Sequence, residues 1–113
     1  MKFKTPQLEE EFTRINLRLK IVLKEADEFL KDGLTITSLF RHGEDSVHHY
    51  GRGADIRIDM SEDEGDRLLN HLNTHFIYGG GKKVAIDERD RVSNAWTGPH
   101  IHLQVPYKSM RVI

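Results

Sequence analysis

Two short stretches constrain the fold more than any other feature of this chain. Residues 54–60 (ADIRIDM) and 101–105 (IHLQV) alternate strictly between apolar and polar side chains. Successive side chains of a strand point to opposite faces, so Ala54, Ile56 and Ile58 share one face and Asp55, Arg57 and Asp59 the other. By the same rule His100, His102 and Gln104 oppose Ile101, Leu103 and Val105. Such strands require a sheet with one face packed and the other carrying polar groups. Packing partners are legible as well. Thr5 caps a helix that Pro6 opens, and Leu8, Phe12, Ile15, Leu19, Val22, Ala26 and Phe29 recur at alternating spacings of four and three. That is one apolar stripe on a single amphipathic helix, with its stop at Gly33. Ser61 and Glu64 form a capping box for a second helix. Its buried stripe is Leu68, Leu69, Leu72 and Phe76, and Gly79, Gly80 and Gly81 end it. Residues 34–40 (LTITSLF) and 83–86 read as further strands, 41–53 as a glycine-containing loop, and 87–97 as a charged excursion around Trp96. The order helix, strand, strand, helix, strand, strand predicts an α+β fold: a small, mainly antiparallel sheet with helices on one face.

With 113 residues the chain makes one domain, residues 1–113. Its 37% hydrophobic and 31% charged residues exclude a disordered chain, and no apolar run approaches the roughly 20 residues of a membrane span. Lys and Arg number 17 against 18 Asp and Glu, so no broad electropositive footprint for nucleic acid is expected. The absence of cysteine removes disulfides, thiolate-bound metals and thiol catalysis together. The opening MKFKTPQLEEEF has no long apolar core of a secretory signal. A monomer is expected.

Histidine is where the composition departs from the ordinary, with seven residues, several in pairs. His100 and His102 project from one strand face, and Asp55 occupies the polar face of another. If both strands join one sheet whose other face is covered by helices, these groups meet on the open face. A loop bearing His48 and His49 leads directly into the Asp55 strand. Imidazoles with one carboxylate are what a zinc site asks for, and catalytic zinc takes three protein ligands and keeps a fourth position open. His71 and His75 stand four apart on the second helix, but no acid between them supplies the base of an H-E-x-x-H site. They, with His42 and His49, are read as structural or surface residues, and Lys82, Lys83, Arg89 and Arg91 as solvated charge.

The segment Ser46-x-His48-x-x-Gly51-x-Gly53-x-Asp55 resembles the S-x-H-x-x-G-x-A-x-D signature of the zinc D-Ala-D-Ala carboxypeptidases and L-alanyl-D-glutamate endopeptidases. These share the Hedgehog/DD-peptidase fold. His100-x-His102 resembles the H-x-H that closes the site in one branch, and Arg41 resembles the arginine that follows the first core strand. The resemblance runs from about Thr37 to Val105. It implies a Hedgehog/DD-peptidase-like domain with Zn2+ on the open face, held by His48, Asp55 and His102. It also implies a substrate-binding Arg41. Ser46 is expected to orient the His48 loop, and His100, beside His102, to stabilise charge or move a proton. Two positions depart from the pattern: Gly53 stands for the usual alanine, and Pro99 where some branches carry an acidic general base. Glu44, Asp45 and Asp87 are the acids to consider in its place.

The function so implied is a zinc metallopeptidase that hydrolyses bonds in bacterial peptidoglycan, at a stem peptide or crosslink. It would be made in the cytoplasm and act on the cell wall after lysis or particle-mediated delivery, as a phage endolysin does. The alternative from a different class is a non-catalytic, zinc-stabilised binding or assembly module of the same fold. A cytoplasmic dipeptidase is a third, weaker reading.

Overall fold

The computed structural model describes residues 1–41, 47–48, 50–57, 60–89 and 99–113. In chain order it forms β1 (Lys2–Phe3), α1 (Pro6–Phe12), α2 (Leu17–Phe29), β2 (Thr35–Ser38), β3 (Gly53–Arg57), α3 (Glu62–His75), β4 (Phe76–Ile77), β5 (Ala85–Glu88), β6 (His100–Gln104) and β7 (Arg111–Val112). The fold is α+β. A five-stranded sheet in the order β1-β2-β3-β6-β5 packs against the helices, and β4 and β7 pair separately.

The sheet is mixed, which corrects the expectation of a mainly antiparallel one. β1 lies parallel to β2 at one edge, while β2–β3, β3–β6 and β5–β6 are antiparallel. Parallel neighbours need a long crossover, and α1 with α2 supplies it between β1 and β2. A two-residue strand is too short to leave a periodic signal, so β1 escapes a reading of the sequence.

The first apolar stripe is also carried by two helices rather than one. Thr5 caps α1, its Oγ1 accepting from Leu8 N–H at 3.3 Å. After Phe12 the helix stops. Asn16 then caps α2 with its side chain, accepting Arg18 N–H at 2.8 Å, and its own N–H is donated to Gly51 O at 2.9 Å. An asparagine side chain competes well for backbone donors at a cap and poorly mid-helix, which explains the interruption. The stripe survives the break because Ile15 stays buried between the helices, and Leu19, Val22 and Ala26 are fully buried.

α3 begins as expected, with Ser61 Oγ accepting Glu64 N–H at 3.1 Å. The Glu64 carboxylate does not close the capping box; it accepts Lys31 N–H from beyond α2 at 3.0 Å. α3 ends at His75, before the three glycines, because Phe76 and Ile77 leave it to pair with the C-terminal strand. Leu68 and Leu72 of α3 and Leu19, Val22 and Leu23 of α2 form one core with Ala54, Ile56, Ile101 and Leu103 of the sheet. Each buried leucine or isoleucine contributes about 1.5–3 kcal/mol relative to exposure. The alternation of the two central strands therefore sends Asp55, His100 and His102 to the face away from the helices.

Candidate metal centre

β3 and β6 are direct neighbours, and their register places Asp55 opposite His102 and Arg57 opposite His100. Cross-strand partners have their Cβ atoms about 4.5–5.5 Å apart, so this register alone brings a carboxylate to an imidazole. His102 Nδ1 lies 3.0 Å from Asp55 Oδ1. His48, on the turn leading into β3, brings its Nε2 to 3.4 Å from the same oxygen. Candidate ligand atoms of His48, Asp55 and His102 all lie within 4.8 Å of one another, a buried group that could hold a metal ion.

Two glycines let the turn reach its place. Gly51 has φ +70°, a left-handed conformation that side-chain-bearing residues rarely adopt. At Gly53 a Cβ would stand 2.6 Å from Val47 Cγ2 and 3.2 Å from His48 N, so the His48 turn can cross β3 only over a residue without a side chain. This crossing covers the polar face. His48, Asp55, His100 and His102 are all buried, so the site does not sit on an open face. The sequence reading of that face followed strand alternation and could not see a loop folding back over it.

The surrounding hydrogen bonds fix which nitrogen of each ring points inward. His48 Nδ1 lies 2.7 Å from the Leu39 carbonyl, which can only accept, so Nδ1 carries the proton and donates it there. Gln104 donates its side-chain N–H to Lys83 O at 2.9 Å, which turns its Oε1 toward His102 Nε2 at 3.2 Å. His102 therefore donates from Nε2. His48 Nε2 and His102 Nδ1 are left converging on Asp55 Oδ1. Two ring nitrogens and a carboxylate oxygen, with each outer ring N–H donated to a carbonyl-type oxygen, match the donor set of a divalent cation and its supporting shell.

Asp55 is held as an anion. Burial by itself pushes its carboxyl up, but when the neighbouring imidazoles are protonated His102 and His48 donate to it from their inner nitrogens, and this, with the positive charge of His48 and His100, outweighs burial and keeps it well below the usual carboxylate range. Its second oxygen, Oδ2, accepts from Arg41 Nη2, and Arg41 Nε donates to Ser38 Oγ at 3.2 Å. A register shift between Ile36 and Ser38 brings the end of β2 beside Asp55 for this purpose. Arg41, expected as a receptor for substrate, is thus engaged with the candidate ligand itself.

His100 Nε2 lies 3.6 Å from Asp55 Oδ1 and 3.7 Å from Glu88 Oε1 of β5, and His100 is not part of the three-residue group. Glu88 stands directly opposite His100 in the β5–β6 register. The sequence reading missed it by ending the strand at residue 86. Two more residues of alternation would have put Glu88 on the site face and Asp87 on the other. Asp87 indeed lies off the site and pairs with Arg89 at 2.8 Å. Arg89 also reaches Asp66 of α3 and Glu62 O, so it clamps β5 to α3 rather than standing in solvent. His71 pairs with Glu25 at 2.9 Å and stacks on Phe29, a structural role as expected. Ser46, His42, His49, Glu44, Asp45 and Trp96 lie outside the described residues.

No protein-family model matches the chain, and comparisons with curated proteins and with solved structures return no match.

Proposed function

We propose that this chain is a zinc-dependent peptidase acting on the peptides of bacterial peptidoglycan. The observation that carries the reading is the convergence of His48 Nε2, His102 Nδ1 and Asp55 Oδ1, with both outer ring nitrogens and the second carboxylate oxygen already committed elsewhere. The resemblance of the His48–Asp55 segment and of His100-x-His102 to the zinc D-Ala-D-Ala peptidases supplies the substrate class. A divalent ion held by His48, Asp55 and His102 would supply Lewis acidity, enough to polarise a scissile carbonyl and to lower the pKa of water toward ~7. The chain's own residues do the rest. Arg41 holds Asp55 so that one oxygen faces inward. Leu39 O and Gln104 keep the two imidazoles aimed. His100, buried next to the ligands without belonging to them, gives or takes the proton of the reacting groups. Its setting would be a cell wall reached after lysis or by delivery on a particle.

A second reading has an observation of its own. His48 and Asp55 are each only 3% exposed, so the centre is largely shut off from solvent, and a zinc-stabilised binding module is the competing function. Digestion of purified peptidoglycan with zinc-loaded protein, followed by mass spectrometry of the muropeptides, separates the two. The peptidase yields cleaved stems or crosslinks that disappear with chelator. An intact digest from a protein carrying one zinc per chain refutes the enzyme and leaves the module.

A further inference from the structure

We infer that Glu88 is a positioning residue of this site, the carboxylate that holds the His100 ring in working orientation. β5 and β6 are antiparallel, and Glu88 is the Cα partner of His100, so both side chains leave the sheet on the same face. That face is the one occupied by Asp55 and His102. The Glu88 side chain is 16% exposed and that of His100 11%, so the pair sits at the inner edge of the site, largely out of water.

His100 Nε2 lies between two carboxylate oxygens at nearly equal range, 3.6 Å to Asp55 Oδ1 and 3.7 Å to Glu88 Oε1. These two oxygens have different futures. Asp55 Oδ1 is the atom on which the other two imidazoles converge, and a cation bound there takes up its lone pairs. Glu88 is not among the three residues of that group, so its carboxylate would not be a ligand of the cation. Contacts slightly beyond hydrogen-bond range are common around catalytic groups before substrate is bound, and they tighten in the working complex.

The segment that leads into β6 supplies no carboxylate of its own for this ring. Pro99 precedes His100 and offers neither a backbone N–H nor an acid. On the neighbouring strand Asp87 faces away and is bound by Arg89, while Glu88 faces in. The supporting acid therefore comes from the adjacent strand of the sheet, not from the segment that carries the histidines.

The kinetic arm of the test rests on the peptidase reading; a spectroscopic arm does not. In zinc-loaded protein, Glu88→Gln should leave metal stoichiometry unchanged and lower kcat roughly 10–100-fold with little change in KM, and Glu88→Asp should recover part of the loss. In a His100→Ala background the same Glu88→Gln change should cost less than about 2-fold, because a residue acting through His100 has nothing left to act on. Independent multiplication of the two losses overturns the inference, as does full activity in Glu88→Gln. In the spectroscopic arm, the ring nitrogen resonances of His100 at one fixed pH should move in Glu88→Gln and stay in place in the control Glu62→Gln. A wild-type protein that cleaves no wall peptide refutes the peptidase reading alone. Unmoved His100 resonances refute the role of Glu88 whether or not peptide is cleaved.

Discussion

At the scale of single residues, the site divides sharply between groups that would touch a metal and groups that aim them. His102→Ala and Asp55→Ala each remove one of three converging donors and should abolish stoichiometric zinc, read by atomic absorption on dialysed protein. His100→Ala should keep the zinc and lower kcat and kcat/KM together by roughly 10²–10⁴-fold. Loss of zinc in His100→Ala would make His100 a ligand and reverse its assignment with His102. Arg41 is a sharper case. Its bond to Oδ2 leaves Asp55 a single oxygen for the centre, so Arg41→Ala frees the carboxylate to rotate. Zinc affinity, measured by competition with a chelating dye, should fall about 10–100-fold, as for other groups that orient ligands. An unchanged affinity with a raised KM would return Arg41 to the substrate-binding role its sequence position implied.

At the scale of elements, α2 and the β5–α3 junction carry different kinds of stability. Leu19 is fully buried in the core, and Leu19→Ala should cost about 2–5 kcal/mol in denaturant unfolding. Phe12 is only partly buried, edge-on to Phe3 with ring centroids 5.6 Å apart, at the end of α1. Phe12→Ala should cost clearly less, about 1–2 kcal/mol, below the range a fully buried ring would give. The Arg89 clamp is electrostatic. Asp87 is held below its ordinary pKa, chiefly by its hydrogen bond from Arg89. A carboxyl whose folded pKa is depressed stabilises the fold above its unfolded pKa and loses that contribution as pH falls through the folded value. Arg89→Ala should therefore destabilise at neutral pH by about 1 kcal/mol or less, since Asp87 and Asp66 are 42% and 63% exposed and solvent screens them. Thermal melts of the two proteins should converge in acid, below the carboxylate range. A constant gap at every pH would mean that Arg89 acts by packing on Gly65, where its Nη1 would come within 2.3 Å of an added Cβ.

At the scale of the whole molecule, the centre joins parts of the chain that are distant in sequence. Asp55 of β3 and His102 of β6 are 47 residues apart, and His48 joins them from a turn that also touches Leu39 beyond β2. A ligand that binds only the folded state stabilises by mass action, about 2.7 kcal/mol at a free concentration one hundred times its dissociation constant. Saturating zinc should accordingly raise Tm by roughly 10 °C, and chelator should reverse it. In His102→Ala the zinc-dependent shift should vanish. A shift that persists in that variant would locate the bound metal elsewhere on the protein.

What was legible in the sequence was what depends on neighbours within one element. Alternation in residues 54–60 and 101–105 is a property of the extended backbone, so it assigned Asp55 to the polar face of one strand and His100 with His102 to the polar face of another before any partner was known. The α+β class, the Thr5 and Ser61 caps and the apolar stripes rest on equally local rules. The pairing of β3 with β6, which turns two faces into one site, follows from the tertiary fold, as do the parallel edge strand and the division of the first helix at Asn16. So does the task of Arg41, because a register shift in β2 decides what lies beside Asp55. The burial of the polar face was decided there too, where a turn folds back over Gly53. Glu88 joins the site by the same means: it lies on a different strand, twelve residues from His100 along the chain, and only the sheet register makes them partners. Local periodicity sets which way a side chain points; contact between elements distant in sequence is a collective outcome of burying one core, and no single segment encodes it.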